Sequence, residues 1–344
     1  MDVVTVGDVM IDVRVDSDGL EEGGDVHGRV LVRPGGSAAN AAVWAAEVGA
    51  RARVHGRIGS DVAGALLRDE LISRGVEPAL AIDPAADTGT MLVVHEPRER
   101  SMVADRGAGG RLSPEDLPGR LDAGAVLVSG YSLLFEPTSA AGVAALERAH
   151  ARFVAVDAAS WPMIRSFGVD RFFESCERAT MLLANAREAE ELTGLRGDDA
   201  FDELARRFPV VCLKLGDEGA LMSWEGLAIR NTTDAVREKD PTGAGDAFNG
   251  VLLASLVAGR SPGDAIAAAC RAGARVAASF ETWPERRRPT EAEQPSGRWR
   301  RLTPCAPRAR SRSRSRPERA SWRSRRASCP RGFRRPETSS ASSG

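Results

Sequence analysis

Six short strand-like runs, most of them apolar without a break, punctuate the first two thirds of this chain, at residues 3–6, 53–58, 126–129, 153–156, 181–184 and 210–215. Runs of this length without polar alternation suit strands covered on both faces, the condition of strands inside a parallel sheet. Longer amphipathic stretches at residues 37–48, 63–73, 138–151, 187–193, 199–208, 245–258 and 262–280 read as helices. Parallel neighbours need a crossover connection, and a helix usually supplies it. The alternation therefore predicts an α/β fold with helices on both faces of a mostly parallel sheet. Residues 13–32 and 90–104 break the rhythm. They are charge-rich and hairpin-like, with turn residues at Asp16-Ser17-Asp18-Gly19 and Pro97-Arg98-Glu99. We expect them to form a small added sheet that acts as a lid over a site at the carboxyl ends of the main strands.

Charge divides the chain in two. Residues 294–344 hold 15 arginines against two acids, Glu318 and Glu337, whereas residues 1–293 hold 32 basic and 46 acidic side chains. The distal segment is Arg, Ser and Pro without a period. It cannot bury enough apolar area to offset chain entropy and is expected to be disordered. Two readings of it stay open. One is an arm whose arginines neutralise nucleic-acid phosphates; the other is an extension with no selected role. Lys214 and Lys239 are the only lysines, against 45 arginines, which fits GC-rich coding. The expected division is thus a folded domain at 1–293 and a tail at 294–344. Five widely spaced cysteines without a CxxC pair make a disulfide scaffold or zinc finger a poor reading and a reducing, cytoplasmic compartment the better one. The four histidines show no HExxH spacing, and no apolar run approaches the ~20 residues of a membrane span. The first residues lack the pattern of a signal peptide.

Four strings carry chemistry. The most specific is Asp240-Pro241-Thr242-Gly243-Ala244-Gly245-Asp246, which runs into the helix-forming segment AFNGVLLASLVAG. Small residues at a helix start let the backbone approach a ligand, and the first N–H groups with the helix dipole make an anion site. A carboxylate beside such a site repels a phosphate, so binding alone gives Asp246 no purpose. As a general base it would take the proton of a hydroxyl that attacks phosphorus. The plain alternative for the isolated string is a Gly-rich loop capped by Asp246. The second string is Gly35-Gly36-Ser37-Ala38-Ala39-Asn40, where two glycines permit close approach and Asn40 offers both donor and acceptor to sugar hydroxyls. The third is Asn185-Ala186-Arg187-Glu188, after a strand. It reads either as oxygen ligands near magnesium or as a helix capping box. The fourth is Lys214-Leu215-Gly216-Asp217-Glu218-Gly219, a strand end that either passes under a nucleotide or forms a hairpin turn.

In this order the four strings resemble those of the ribokinase, or PfkB-type, carbohydrate kinase family, over roughly residues 3–293. The resemblance implies a ribokinase-like three-layer α/β/α sandwich with a mostly parallel central sheet and a small β-sheet lid. It also implies an ATP-dependent kinase that moves the γ-phosphate to a hydroxyl of a monosaccharide. By position, it makes Asp246 the catalytic base and Gly243, Ala244 and Gly245 the anion hole. Asp12, in Gly7-Asp8-Val9-Met10-Ile11-Asp12, then holds sugar hydroxyls together with Gly35, Gly36 and Asn40. Asn185 and Glu188 organise magnesium, through water, and phosphate. Lys214, Gly216 and Gly219 fall where the family binds nucleotide, and Asp240 where some members place a monovalent cation such as potassium. A homodimer through the lid is a further implication.

Nucleoside kinases share these motifs, so a nucleoside is the alternative acceptor. A non-catalytic nucleotide-binding regulator with a nucleic-acid-binding tail is another reading, against which the intact Asp246 speaks. No GxGxxG follows the first strand and no GxxxxGK[ST] occurs, so dinucleotide oxidoreductases and P-loop kinases are poor fits. A substrate bearing an acid group would need extra cations near the lid, for which Arg98, Arg100 and Arg106 are candidates. Two departures stand out. Met10 and Ser37-Ala38 replace residues common in ribokinases proper, which points away from ribose. Residues 280–289 (FETWPERRRP) lack the Gly-containing turn that helps build the family's cation and adenine sites.

Overall fold

The computed structural model describes residues 1–285 except 18, 20–22, 96–99, 234, 235 and 237. The tail at 294–344, with both of its readings, and the turn expected at Pro97-Arg98-Glu99 lie outside the described residues. In chain order, β1 (Val3–Val6) leads through β2 (Met10–Ser17) and β3 (Gly28–Gly35) to α1 (Ser37–Glu47), β4 (Ala52–Gly59) and α2 (Val62–Ser73). Then come β5 (Val76–Asp83), β6 (Thr88–His95), β7 (Arg100–Gly107), β8 (Leu121–Asp122), β9 (Ala125–Ser129), α3 (Gly130–Leu133) and α4 (Ser139–Arg148). Next are β10 (Ala149–His150), β11 (Phe153–Asp157), α5 (Trp161–Phe167), α6 (Val169–Ser175), β12 (Met181–Asn185), α7 (Ala186–Thr193) and α8 (Gly197–Arg207). The last elements are β13 (Val210–Lys214), β14 (Ala220–Trp224), β15 (Leu227–Asn231), α9 (Ala244–Val257) and α10 (Pro262–Ala277).

Nine strands form the main sheet in the order β15-β14-β13-β12-β11-β9-β1-β4-β5. Every pairing is parallel except β13 with β14 and β14 with β15, which make an antiparallel edge. Successive side chains feed two different cores. Val3, Ala125, Leu127, Ala155 and Leu183 pack with α1, α2, α9 and α10. Val4, Val6, Val126, Val128, Val156 and Leu182 pack with α4 and α6 to α8. Neither face meets water, which is why these strands read as unbroken apolar runs; each valine or leucine among them contributes roughly 1.5–3 kcal/mol on full burial. Among the described residues, no helix is long and apolar enough to cross a membrane.

The segments expected as hairpins form a separate four-stranded sheet in the order β3-β2-β6-β7. Its hairpin pairs are antiparallel, but β2 and β6 join in parallel, from Ile11 opposite Thr90 to Asp16 opposite His95. The strands extend beyond the expected bounds. β2 begins at Met10 and β3 ends at Gly35, which brings Asp12 and the Gly35-Gly36 turn together.

Helix ends explain much of the local placement. Ser261 accepts the Asp264 N–H at 3.1 Å and Pro262 follows it, a standard start for α10. That helix stops at Ala277 rather than 280. Its Ala277 carbonyl takes the N–H groups of Lys239 and Asp240 at 2.8 and 3.2 Å, which ties the loop before α9 to the end of α10. The helix expected over 138–151 ends at Arg148, because Ala149–His150 pair with β8. From β1 the chain builds outward to β4 and β5 on one side, and from β9 to β15 on the other. The carboxyl ends of β1 and β9 therefore flank the point where strand order reverses, the usual place for a ligand crevice in such sheets.

Candidate active site

A cavity of about 1250 Å³ opens at this reversal point, between the carboxyl ends of the main strands, the small sheet and the start of α9. Gly243 is the residue before the α9 helix, at φ 81°, in the left-handed region where a side chain is strained. A Cβ there would also lie 2.7 Å from Thr282 Cγ2. Glycine at this position lets the chain turn sharply, so that Ala244, Gly245 and Asp246 form the first turn of α9 on the cavity floor. The first N–H groups of a helix have no partner within it. The Ala244 N–H is taken by the Pro241 carbonyl at 3.1 Å, whereas among the described residues no backbone acceptor meets Gly245 N or Asp246 N, which border the cavity.

Asp246 accepts a 2.7 Å hydrogen bond on Oδ2 from Asn40 Nδ2, which reaches it from α1. Burial pushes the Asp246 carboxyl up to about 7, with the nearby Asp157 adding to the rise and the Asn40 hydrogen bond and Lys214 opposing it. A carboxyl in that range is poised near neutral pH, as a general base should be.

Lys214, at the end of β13, donates to Asp157 Oδ1 at 2.6 Å, and its Nζ lies 3.5 Å from where a Cβ on Gly245 would stand. Burial alone would lower its affinity for a proton, but the carboxylates of Asp157 and Glu188 win and hold it above the ordinary lysine range. A permanent positive charge thus sits against the first turn of α9 and adds to the helix dipole. Gly216 and Gly219 frame the turn after β13 and also line the cavity.

Asn185 and Glu188 form the reciprocal capping box of α7. Asn185 N and Nδ2 donate to Glu188 at 2.8 and 2.6 Å, and Glu188 N donates to Asn185 Oδ1 at 3.0 Å. Both also line the cavity, where burial raises the Glu188 carboxyl against the pull of Lys214. Among the described residues, no cluster of three metal-ligating side chains occurs. The donor set here is nonetheless all oxygen. It fits a magnesium ion that keeps its waters and arrives on phosphate groups, as magnesium usually does, rather than one held in a protein cage.

On the small-sheet side Asp12, Gly36 and Asn40 line the cavity, but Gly35 does not. Its role is steric: a Cβ on Gly35 would fall 2.5 Å from the Asp12 carboxylate. Burial pushes the Asp12 carboxyl up to about 6, moderated by Arg14. Asp240 lies off the cavity and is buried; it accepts from Arg14 Nη1 at 2.6 Å and from Thr242 N and Oγ1 at 2.9 and 2.6 Å. Asp8, Tyr131, Asp157 and Phe135 are among the cavity residues that local patterns did not single out. Asp8 and Tyr131 follow β1 and β9, Asp157 ends β11, and Phe135 lies just past α3. A rule that polar residues at the last position of a buried parallel strand, or up to two positions past it, face the site would have found Asp8, Tyr131 and Asp157.

Residues 1–284 match the pfkB family carbohydrate kinase profile. A 2-dehydro-3-deoxygluconokinase of Thermoproteus tenax is 31% identical over 264 residues, covering 70% of this chain and 78% of that protein. A fructokinase of Klebsiella pneumoniae is 31% identical over 269 residues, covering 74% and 83%. Among solved structures, the fructokinase of Vibrio cholerae in its fructose-, ADP- and calcium-bound form has a TM-score of 0.69 at 25% identity, over 82% of this chain and 94% of that one. A match of this extent on a sheet of this order establishes the kinship: the chain belongs to the pfkB family of carbohydrate kinases, phosphotransferases whose acceptor is a sugar hydroxyl.

Proposed function

We propose that the protein transfers the γ-phosphate of ATP to a hydroxyl of a neutral monosaccharide, with Asp246 as general base and the helix start at Gly243, Ala244 and Gly245 as anion hole. The observation that carries this reading is the placement of the Asp246 carboxylate in the first turn of α9, beside the Gly245 and Asp246 N–H groups, on one cavity floor. The acceptor hydroxyl gives its proton to Asp246 while its oxygen attacks the γ-phosphorus. The bond to the β-phosphate oxygen breaks, and ADP leaves. Negative charge on the transferred group meets the α9 N–H groups and Lys214. Preorganised donors of this kind are worth about 10²–10³ in rate each. Magnesium, bound with the nucleotide near Asn185 and Glu188, would screen the phosphate charges. In this reading residues 1–293 are the catalytic domain and the small sheet is the lid; Met91, Met102 and Ala104 from it line the cavity and would exclude water.

Charge pairing favours a neutral acceptor over a sugar acid. Arg106 donates to Asp8 Oδ1 at 2.6 Å and to the Tyr131 carbonyl at 3.0 Å, and its guanidinium lies 4.7 Å from the Phe135 ring centre. Arg111 pairs with Asp83 at 3.4 Å. Every described cation of the cavity wall, Lys214 included, is thus matched by a carboxylate. Arg98 and the side chain of Arg100 lie outside the described residues. An ADP-release assay over neutral sugars, sugar acids and nucleosides tests the reading. Fructose is expected to exceed 2-dehydro-3-deoxygluconate by at least about 10-fold in kcat/KM, the scale of one unpaired buried charge. A preference for the sugar acid would overturn the neutral-acceptor reading.

Asp240 does not fit a monovalent ion. Arg14 Nη1 bonds both its carboxylate and the Phe280 carbonyl, at 2.6 and 2.8 Å, so a fixed cation already stands among these oxygens. Replacing potassium by tetramethylammonium at constant ionic strength is expected to leave kcat unchanged. A strict potassium requirement would show that the guanidinium is not a substitute.

A further inference from the structure

We propose that Trp283 is a positioning residue for the general base, acting through Asn40; the inference rests on the assignment of Asp246 as that base. Trp283 is buried, and its Nε1 donates to Asn40 Oδ1 at 2.7 Å. Asn40 Nδ2 in turn donates to Asp246 Oδ2 at 2.7 Å. An amide side chain can lie either way round, and its hydrogen-bond partners decide which. The indole N–H is a donor only, so it fixes the Asn40 oxygen toward itself and the NH2 group toward Asp246. Turned over, Asn40 would set its oxygen against a carboxylate oxygen. The relay therefore favours the ionised Asp246, the form that accepts a proton. Among the described residues, no hydrogen bond reaches the other oxygen of Asp246, Oδ1, which is left for the acceptor hydroxyl.

The segment that delivers Trp283 is itself pinned. Trp44 Nε1 of α1 donates to the Thr282 carbonyl at 2.8 Å, and Thr282 Cγ2 fills the space beside Gly243. Arg74, at the end of α2, lies 5.6 Å from the Trp283 ring centre and donates to the Pro284 carbonyl. Residues 282–284 thus link α1, α2 and the start of α9. They fall in the FETWPE stretch that departs from the family's Gly-containing turn. The charged and titratable groups acting on Asp246 come from four other elements: Asp12 of β2, Tyr131 of α3, Asp157 of β11 and Lys214 of β13. Among the described residues, none of them is hydrogen-bonded to Trp283, whose indole N–H goes to Asn40.

The test is Trp283→Phe, which keeps an aromatic ring and removes the N–H. The expected result is a fall in kcat of about 10-fold from lost orientation, with KM for ATP unchanged. The acid limb of the pH–kcat profile should also move to higher pH, because Asn40 no longer holds the ionised form. A wild-type kcat, or a reduced kcat with an unmoved acid limb, would overturn the proposal. A second readout leaves residue 283 intact. In the ¹⁵N-tryptophan-labelled protein the Trp283 indole N–H signal should titrate with the acid limb, and should stay flat in Asp246→Asn. A Trp283 signal that ignores pH would also overturn it. Full turnover by Asp246→Asn would instead remove the base assignment beneath it, so the two failures are distinguishable.

Discussion

Asp246→Asn is expected to lower kcat by about 10²–10⁴-fold while leaving the KM for ATP nearly unchanged. The substitution is isosteric, and the new carbonyl oxygen can keep the hydrogen bond from Asn40 Nδ2, so the site should hold its shape. What disappears is the ability to take a proton. Stability should move the opposite way. Burial raises the carboxyl from 3.8 to about 7, so between these values the folded protein binds more protons than the unfolded chain. By linkage, wild-type stability falls as pH rises through that window, and the full cost of the buried charge applies above about pH 7. The Asn variant lacks this term. Its Tm should exceed the wild type at pH 8, and the difference should vanish as pH falls toward 4. Thermal melts at four or five pH values, run beside the kinetic assay, check both signs. A variant that is inactive and less stable at pH 8 would indicate a damaged fold instead of a missing base.

Gly243→Ala is the second large effect. The left-handed φ of 81° costs a non-glycine residue roughly 1–2 kcal/mol, and the added Cβ meets Thr282 Cγ2 at 2.7 Å. Thr282 is held through its carbonyl by Trp44, so it yields poorly and the helix start must shift instead. Misaimed N–H donors should reduce kcat by about 10²–10³-fold although Asp246 is untouched. Gly245→Ala provides the contrast. A Cβ there meets only the Lys214 side chain, at 3.5 and 4.0 Å, which is ordinary contact. Its loss should be clearly smaller. Equal losses at both positions would mean that small size, not the sharp turn, is what this loop requires.

Local features were legible in the sequence, and distant pairings were not. The strands at 3–6, 126–129, 153–156 and 181–184 were readable because both faces of each are buried. β5 was not, since it is the sheet edge and most of its side chains are only partly covered. Short α5 and α6 have too few turns to show a period. Asn185 and Glu188 lie three residues apart, so their capping box could be read directly. Asn40 read as a sugar contact from its own string, whereas its partners Asp246 and Trp283, at separations of 206 and 243 residues, show in no local pattern. Arg14, the partner of Asp240 from 226 residues away, is likewise invisible to any local pattern. Charge balance inside the cavity was hidden for the same reason: Arg106 looked like a spare cation until Asp8 appeared beside it.

Phosphorus NMR of the purified protein with ATP, magnesium and fructose follows the transferred group itself. A phosphomonoester signal should grow in step with ADP for the wild type, and should grow at least about 10²-fold more slowly with Asp246→Asn. Sugar phosphate formed by that variant at the wild-type rate, or ATP consumed with only inorganic phosphate released for every neutral sugar offered, would contradict the account.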